Sequence, residues 1–208
     1  MPTAFLRQVA SNVMRRRVTV LLYPGSIFLE IAPLLEVLAP ECDISFFTPD
    51  GTIHDASNGT RVVVNGSFAQ AMDTPADCVV VPGGNPDSII ELGSANPCIA
   101  AAYGRGAVLA GICAGVLVIA RSGLLHGKRA THNYTAEHTT AEVLACTDSI
   151  LEGIVFERAD IVVDQPFITA QHWAREKFAV TVAVSLGVFS PEQAEQFVQR
   201  QRYSYDDA

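Results

Sequence analysis

The sequence predicts an α/β fold in which a mostly parallel sheet is covered by helices on both faces. Short apolar, β-branched runs such as 17–23 and 77–81 alternate with segments such as 28–38, whose apolar residues recur at helical spacing. The strand-like runs are almost continuously apolar, as expected of strands buried on both faces. This alternation places the strands in one parallel sheet between helical layers, and ligands of such sheets bind beyond the carboxyl ends of the strands.

The other elements follow the same alternation along the chain. Further strands are predicted at 43–47, 61–64, 107–110 and 129–131, with two or three more between 154 and 169. Further helices are predicted at 116–121, 134–146 and 173–186, and a last one beginning at Ser190-Pro191-Glu192, which has the pattern of an N-cap and first turn. Apart from 61–64, residues 51–75 are predicted to be a loop.

Composition limits the classes of function. The 208 residues are 49% hydrophobic and 17% charged, which predicts one domain over 17–208 after an N-terminal arm, 1–16. A net charge of -8 argues against nucleic-acid binding. No apolar run reaches the ~20 residues that span a bilayer, and the N-terminus lacks the charge order of a signal peptide, so we expect a cytoplasmic protein without a membrane partner. The five cysteines lack the paired spacing of disulfide or zinc frameworks.

The most informative motif is Gly111-Ile112-Cys113-Ala114-Gly115, which lies between a predicted strand and a predicted helix. It is the cysteine form of a nucleophile elbow, in which glycines on both sides relieve crowding at a sharp turn. The motif places the thiol at a helix N-terminus, whose partial positive charge favours the thiolate. We therefore predict that Cys113 is reactive; the alternative is a buried cysteine in a tight turn.

Two further features follow other strand ends. Pro82-Gly83-Gly84-Asn85 is either an ordinary turn or a loop whose unshielded N–H groups form an oxyanion hole beside the elbow. Glu30 lies just beyond the first strand among apolar residues. If it points inward, burial raises its pKa and it exchanges a proton with the thiol; if it points outward, it is simply solvated.

The histidines are open to several interpretations. His172 follows a predicted strand and either lines the pocket or lies outside it, and Tyr134 either caps the pocket or only packs. His132, Glu137, His138 and His172 fit no metal-binding spacing, so no metal site is predicted.

Several blocks together resemble the ThiJ/PfpI superfamily, which has the class I glutamine amidotransferase-like fold. The blocks are Leu-Tyr-Pro (22–24), Val-Val-Pro-Gly-Gly (80–84), Gly-Ile-Cys-Ala-Gly (111–115) and Ser-Gly-Leu-Leu-His-Gly-Lys-Arg-Ala-Thr (122–131), in the family's order and spacing. The pattern is most similar to the isonitrile hydratase-like branch. The resemblance implies a flavodoxin-like three-layer sandwich, usually a homodimer, that acts on a small molecule without a metal or organic cofactor.

Carried over residue by residue, the resemblance implies that Cys113 is the nucleophile, that Glu30 is the acid beside it, and that Gly84 and Ala114 supply backbone donors. The implied candidate pocket residues are Gly83, Asn85, His132, Asn133, Tyr134 and His172. Asn133 occupies the position at which the family often has histidine. A histidine-assisted mechanism would therefore need His132 or His172.

The expected function is that of a cysteine-dependent enzyme acting on a small electrophilic substrate. Hydration of an isonitrile to an N-formamide is the first expectation, with attack by Cys113 and proton transfer by Glu30. One alternative is glyoxalase III or deglycase-like action on an α-oxoaldehyde. The other is a non-enzymatic redox sensor, in which Cys113 is oxidised to a sulfinate beside Glu30.

Overall fold

A computed structural model describes residues 15–201 of the chain. Residues 1–14, which make up most of the predicted N-terminal arm, and residues 202–208 at the end of the predicted domain lie outside the described residues. The first strand begins at Arg16, one residue before the predicted domain boundary.

The strands form one large sheet and one small sheet. They are β1 (Arg16–Leu21), β2 (Cys42–Thr48), β3 (Gly66–Ser67), β4 (Cys78–Val81), β5 (Val108–Ile112), β6 (Arg129–Ala130), β7 (Val155–Phe156), β8 (Ile161–Asp164) and β9 (Phe167–Ala170). The large sheet has the order β3-β2-β1-β4-β5-β9-β8 and is parallel except for β8, while β6 and β7 pair separately. The predicted mostly parallel α/β fold is confirmed.

Eight α-helices connect or flank these strands within the described part of the chain. They are α1 (Ala32–Leu38), α2 (Phe68–Asp73), α3 (Asp87–Ile90), α4 (Asn96–Gly104), α5 (Ala114–Ala120), α6 (Ala141–Leu151), α7 (Arg175–Ser185) and α8 (Pro191–Gln201). Two 3-10 turns, Phe28–Glu30 and His172–Ala174, follow β1 and β9.

The sheet has a buried core on each face. Side chains alternate along the strands: Val20 and Val80 join the core beneath α1 and α7. Leu21 and Val79 join the opposite core, beneath α2, α4 and α5. Because both faces are covered, all four residues of β4 are buried, which explains the continuous apolarity of that strand in the sequence.

The strand order reverses at β1. Successive strands run from β1 to β2 and β3 on one side, and the chain then returns to β4 and β5 on the other side. A crevice opens at the carboxyl ends of parallel strands where the order reverses, and ligands bind there. The segments that leave β1, β4 and β5 at this edge contain Glu30, Gly83 and Cys113.

Three sequence predictions of local structure are wrong. Residues 62–65 form no strand; Arg61 makes only an isolated bridge to Asp55. The helix predicted at 134–146 begins at Ala141, because residues 134–140 form turns and the Thr140 hydroxyl then accepts the Val143 N–H to cap the helix. The loop predicted over 51–75 contains β3 and helix α2, because Ser67 and Gln70 form a capping box that starts the helix. Helices α3 and α4 were not predicted.

The membrane prediction can be compared with the described helices. Within residues 15–201, none combines the length and the apolar character needed to cross a bilayer.

Candidate active site

The nucleophile elbow is present between β5 and α5. Cys113 has φ 56° and ψ -127°, and it is the one non-glycine residue of 15–201 with positive φ. Such a conformation costs about 1–3 kcal/mol and persists only where the surroundings fix it. The Cys113 N–H donates to the Ala170 carbonyl at the end of β9, 2.9 Å away, which ties the strained residue to the sheet.

Both glycines of the elbow motif are required by close packing. A Cβ on Gly115 would lie 2.0 Å from the Val81 carbonyl oxygen, and a Cβ on Gly111 would lie 3.0 Å from the Val116 nitrogen. These backbone contacts let α5 start directly against the ends of β4 and β5. The glycines of the motif are therefore needed for the packing of α5 against the sheet as well as for the turn.

Glu30 points inward, which decides between its two interpretations. It is 4% exposed, and its Oε2 accepts the Gly83 N–H at 2.7 Å. A Cβ on Gly83 would lie 2.5 Å from that Oε2 and 2.8 Å from the Cys113 Sγ. Gly83 therefore lies between the carboxyl group and the thiol, and no side chain fits at this position.

The Pro82–Gly84 loop is held by the turn that follows β1. The Tyr23 hydroxyl donates to the Pro82 carbonyl at 2.9 Å, and the Ile27 N–H donates to the Gly83 carbonyl, also at 2.9 Å. Gly84 has φ 135°, and a Cβ there would lie 2.5 Å from the Gly25 carbonyl oxygen. These contacts hold Gly84 near Cys113, and the backbone amides of Ala114 and Gly84 lower the pKa of the thiol.

Burial makes Glu30 an acid that titrates close to neutrality. Burial raises the pKa of Glu30 to about 6, although the hydrogen bonds from Gly83 and Cys113 lower it. Glu30 is therefore able both to donate and to accept a proton in the range where enzymes work.

The thiol of Cys113 is not a thiolate while Glu30 is ionised. Burial first, and then the negative charge of Glu30, raise the pKa of Cys113 to about 12, whereas the amides of Ala114 and Gly84 lower it. The Ala114 amide at the helix N-terminus favours the thiolate, as expected, but burial and Glu30 outweigh it. The thiol therefore keeps its proton beside the Glu30 carboxylate, and Glu30 is the nearest base that could accept it.

His132 is buried away from solvent and is neutral. Burial lowers its pKa to about 4, its ring packs 4.6 Å from that of Phe156, and its Nδ1 has no hydrogen-bond partner among residues 15–201. A histidine with this pKa is a weak base at neutral pH.

Asn133 and His172 form a pair. The Asn133 Nδ2 lies 2.8 Å from the His172 Nδ1, and burial followed by the nearby His138 lowers the pKa of His172. The histidine that sequence reasoning considered as a substitute is therefore connected to Asn133 by a direct hydrogen bond.

Tyr134 and Asn85 differ in their relation to the thiol. The pKa of Tyr134 is raised by burial, then by the charges of Cys113 and Asp87, which places its hydroxyl in the electrostatic field of the thiol. Asn85 is exposed, and its Oδ1 accepts the Asp87 N–H at the start of α3.

Two residues that were not named as candidate site residues hold the site together. Tyr23 fixes Pro82, as described above. The Gln171 Nε2 donates to the Thr131 hydroxyl at 2.7 Å and to the His132 carbonyl at 3.0 Å, which fastens residues 131–135 beside the elbow. Both residues stand just after strands of the large sheet, so the rule that sites form at carboxyl strand ends would have identified them.

No metal centre is evident in the described part of the chain. Residues 15–201 contain no group of three or more His, Cys, Asp or Glu side chains that could hold a metal ion.

Comparison with known proteins was made at the level of sequence and of structure. The model of the DJ-1/PfpI family matches residues 16–184. No curated protein matches the sequence.

Several solved structures share the fold. A DJ-1 superfamily protein of Agrobacterium tumefaciens is 24% identical with a TM-score of 0.73, covering 88% of this chain and 95% of its own. DJ-1beta of Drosophila melanogaster is 21% identical with a TM-score of 0.74, covering 92% and 100%. DJ-1 of Toxoplasma gondii, in an oxidised form, is 19% identical with a TM-score of 0.72, covering 91% and 100%.

Proposed function

Because the chain belongs to the DJ-1/PfpI family, we propose that it is a cysteine-dependent enzyme that converts an α-oxoaldehyde into the corresponding 2-hydroxy acid. The observation that carries the proposal is the arrangement around Gly83. A buried carboxyl group and a thiol lie against the same glycine, and the backbone amides of Ala114 and Gly84 lower the pKa of the thiol.

The reaction starts from the protonated thiol of Cys113 beside the carboxylate of Glu30. Glu30 accepts the Cys113 proton as the sulfur attacks the aldehyde carbon, and a proton is returned to the carbonyl oxygen, giving a hemithioacetal. Glu30, again a carboxylate, then removes the proton from that carbon to give an enediol, and it returns this proton to the neighbouring carbon. The hydroxyl proton of the hemithioacetal passes to the oxygen of the neighbouring carbonyl, so that the first carbon becomes the thioester carbonyl. The product is a thioester of the 2-hydroxy acid, and water hydrolyses it to release the acid and restore the thiol.

The backbone donors fit the charge that develops in these steps. Attack on a carbonyl places negative charge on oxygen, and preorganised N–H groups at that oxygen stabilise the transition state. The Gly84 and Ala114 amides lie near enough to the thiol to lower its pKa, so we expect them to reach the oxygen of an aldehyde bonded to that sulfur.

The proposal requires a single proton carrier. His132 is neutral and packed against Phe156, and His172 is bonded to Asn133. Glu30 has a pKa of about 6, so one carboxyl group both accepts and donates during a turnover. The absence of histidine at position 133 is then compatible with enzymatic activity.

Isonitrile hydration is the second candidate. The sulfur would attack the terminal carbon, the proton of Glu30 would reach that carbon, and water would then displace the thiol to give an N-formamide. The same Cys113–Glu30 pair supports it. Isonitrile attack creates no oxyanion, however, so the two amide donors favour the α-oxoaldehyde.

The test is turnover of methylglyoxal and of an aliphatic isonitrile by the wild-type protein. We expect lactate from methylglyoxal. Cys113→Ala should remove the activity, and Glu30→Gln should lower kcat by about 10²- to 10⁴-fold, the usual contribution of an acid–base group. Cys146→Ala removes an exposed thiol outside the site and should leave the rate unchanged.

Other outcomes would replace the proposal. N-formamide without lactate would establish the isonitrile reaction instead. If neither substrate turns over and peroxide adds two oxygens to Cys113 in the intact mass, the protein is a redox sensor. The oxidised form of the Toxoplasma gondii protein makes this the informative third measurement.

A further inference from the structure

A cavity is lined by residues of 135–138, 156–160 and 171–173, and neither Cys113 nor Glu30 is among its lining residues. It has a volume of about 400 Å³, within the range of small-molecule sites. Its lining residues are mostly polar or aromatic: Thr135, Glu137, His138, Phe156, Arg158, Ala159, Asp160, Gln171 and Trp173. We propose that this cavity binds a small zwitterion, namely a free α-amino acid with an apolar side chain. The proposal is independent of the reaction proposed for Cys113.

Arg158, Glu137 and Asp160 are the charged residues that line the cavity beside His138, and Arg158 and Glu137 form an ion pair. Arg158 Nη1 lies 2.6 Å from Glu137 Oε2, and their side chains are 73% and 55% exposed. An ion pair this exposed contributes little to stability, so it separates at small cost. Asp160 differs because Lys177 and the Trp173 Nε1–H already bind its carboxylate.

The pair selects for a ligand with both charges. A ligand that is only an anion would take Arg158 and leave Glu137 without its partner, and a ligand that is only a cation would do the reverse. An α-amino acid carries its carboxylate and ammonium on the same carbon, so it replaces both halves of the pair at once. Carboxylate binding by a guanidinium is also geometrically favourable, because two parallel hydrogen bonds form.

An aromatic wall stands beside the charges. Trp173 is 43% exposed and Phe156 is 39% exposed. The indole is held in place by its hydrogen bond to Asp160 at 2.9 Å and by edge contacts with the rings of His138 and His172. A rigid, partly exposed aromatic surface next to an ion pair suits the apolar side chain of an amino acid.

Buried polar atoms without hydrogen-bond partners in the described part of the chain occur in two cavity residues, Thr135 and Gln171, and in the neighbouring residues His132 and Asn133. Among residues 15–201, five buried side-chain atoms lack a hydrogen-bond partner, and four of them are His132 Nδ1, Asn133 Oδ1, Thr135 Oγ1 and Gln171 Oε1. An unsatisfied buried group costs about 1–3 kcal/mol. Thr135 and Gln171 line the cavity, but these atoms are covered, so residues 132–135 must shift slightly for a ligand's ammonium to reach them.

Trp173 provides a direct readout, because it is the single tryptophan of the sequence. Its fluorescence should change in a saturable way when L-phenylalanine is added. Phenethylamine and 3-phenylpropionate, which each carry one of the two charges, should bind about tenfold more weakly or worse.

Two variants turn this into a test of mechanism. Glu137→Gln frees Arg158, so it should weaken L-phenylalanine binding about tenfold and tighten 3-phenylpropionate binding. Arg158→Gln should weaken L-phenylalanine in the same way and tighten phenethylamine. The matched control is Arg61→Gln, which breaks a similarly exposed pair with Asp55 elsewhere on the surface and should change none of these affinities.

Three results would overturn the proposal. The first is no saturable change of Trp173 fluorescence and no heat of binding in calorimetry. The second is binding of L-phenylalanine that neither variant weakens. The third is protection of Trp173 from acrylamide quenching in the free protein, which would show that a second copy of the chain covers this face.

Discussion

The two sides of the candidate active site are held in place by different kinds of contact. On the side of β1, β4 and β5, the geometry is set by backbone: Gly83, Gly84 and Gly115 make contacts that leave no room for a Cβ. On the side of 131–135 and β9, it is set by side chains, chiefly Gln171 and the pair Asn133–His172. The unpartnered polar atoms also concentrate on this second side.

This difference separates reaction chemistry from ligand selection. The backbone-built side holds Cys113 and Glu30 in one relative position, because any addition at Gly83 would collide with both. The side-chain-built side can rearrange by rotamer changes. The first should tolerate almost no substitution, whereas the second should tolerate many with small effects.

The largest loss of folding stability is expected from substitution of Gly115. Gly115→Ala would place a methyl group 2.0 Å from the backbone oxygen of Val81, which cannot move without displacing β4. We expect the free energy of unfolding to fall by at least about 3 kcal/mol, as in severe overpacking. Urea denaturation measures it.

Gly104→Ala is the matched control for that measurement. A Cβ there meets nothing within 4 Å, so stability should change by no more than about 1 kcal/mol. Equal losses in the two variants would show that backbone packing at the elbow is not special.

An intermediate effect is expected from the buried carboxyl group of Glu30. Its pKa is raised from 4.5 to about 6 in the folded protein, so the folded state binds the proton more tightly than the unfolded state. The resulting stabilisation is fully present below about pH 4.5, and it is lost as the pH rises through about 6, a change of about 2 kcal/mol.

Glu30→Gln keeps an acceptor for the Gly83 N–H but cannot ionise. The stability of this variant relative to wild type should therefore rise by about 2 kcal/mol between about pH 4 and pH 7. Unfolding curves across this range measure it. A constant difference would mean that Glu30 is not desolvated.

The smallest loss of folding stability is expected from substitution of Gln171. Gln171→Leu removes two hydrogen bonds, but it also removes the unpartnered Oε1, so unfolding should become easier by only about 1 kcal/mol. Thermal unfolding measures it. A loss as large as that at Gly115 would show that both sides of the site are equally constrained.

The same contrast explains what the sequence could predict. The elbow, the Pro-Gly-Gly loop and Glu30 follow strand ends, and the sheet order brings strand ends together, so these residues could be placed from their local sequence. Whether the Glu30 side chain points inward or outward could not be predicted, because its sequence neighbours are apolar on both sides. The hydrogen bond from the Gly83 N–H shows that it points inward.

The elements that were wrong or missed depend on signals of a different kind. Helix α2 begins with a capping box in which Ser67 and Gln70 bond each other's backbone, a pattern present in the sequence but overlooked. The late start of α6 follows from the Thr140 cap, which was likewise overlooked. The positions of His132 and Asn133 depend instead on contacts with Phe156, Gln171 and His172, which are distant in sequence. No local pattern contains that information.

Gly83 also determines how this protein can change over generations. Because position 83 tolerates no side chain, substitutions there cannot change the distance between Glu30 and Cys113 without disrupting the site. New substrates would have to be acquired through 131–135 and 171–173, where single exchanges alter the wall and leave the nucleophile alone. A mutant library restricted to those two segments is therefore the economical way to search for new specificities.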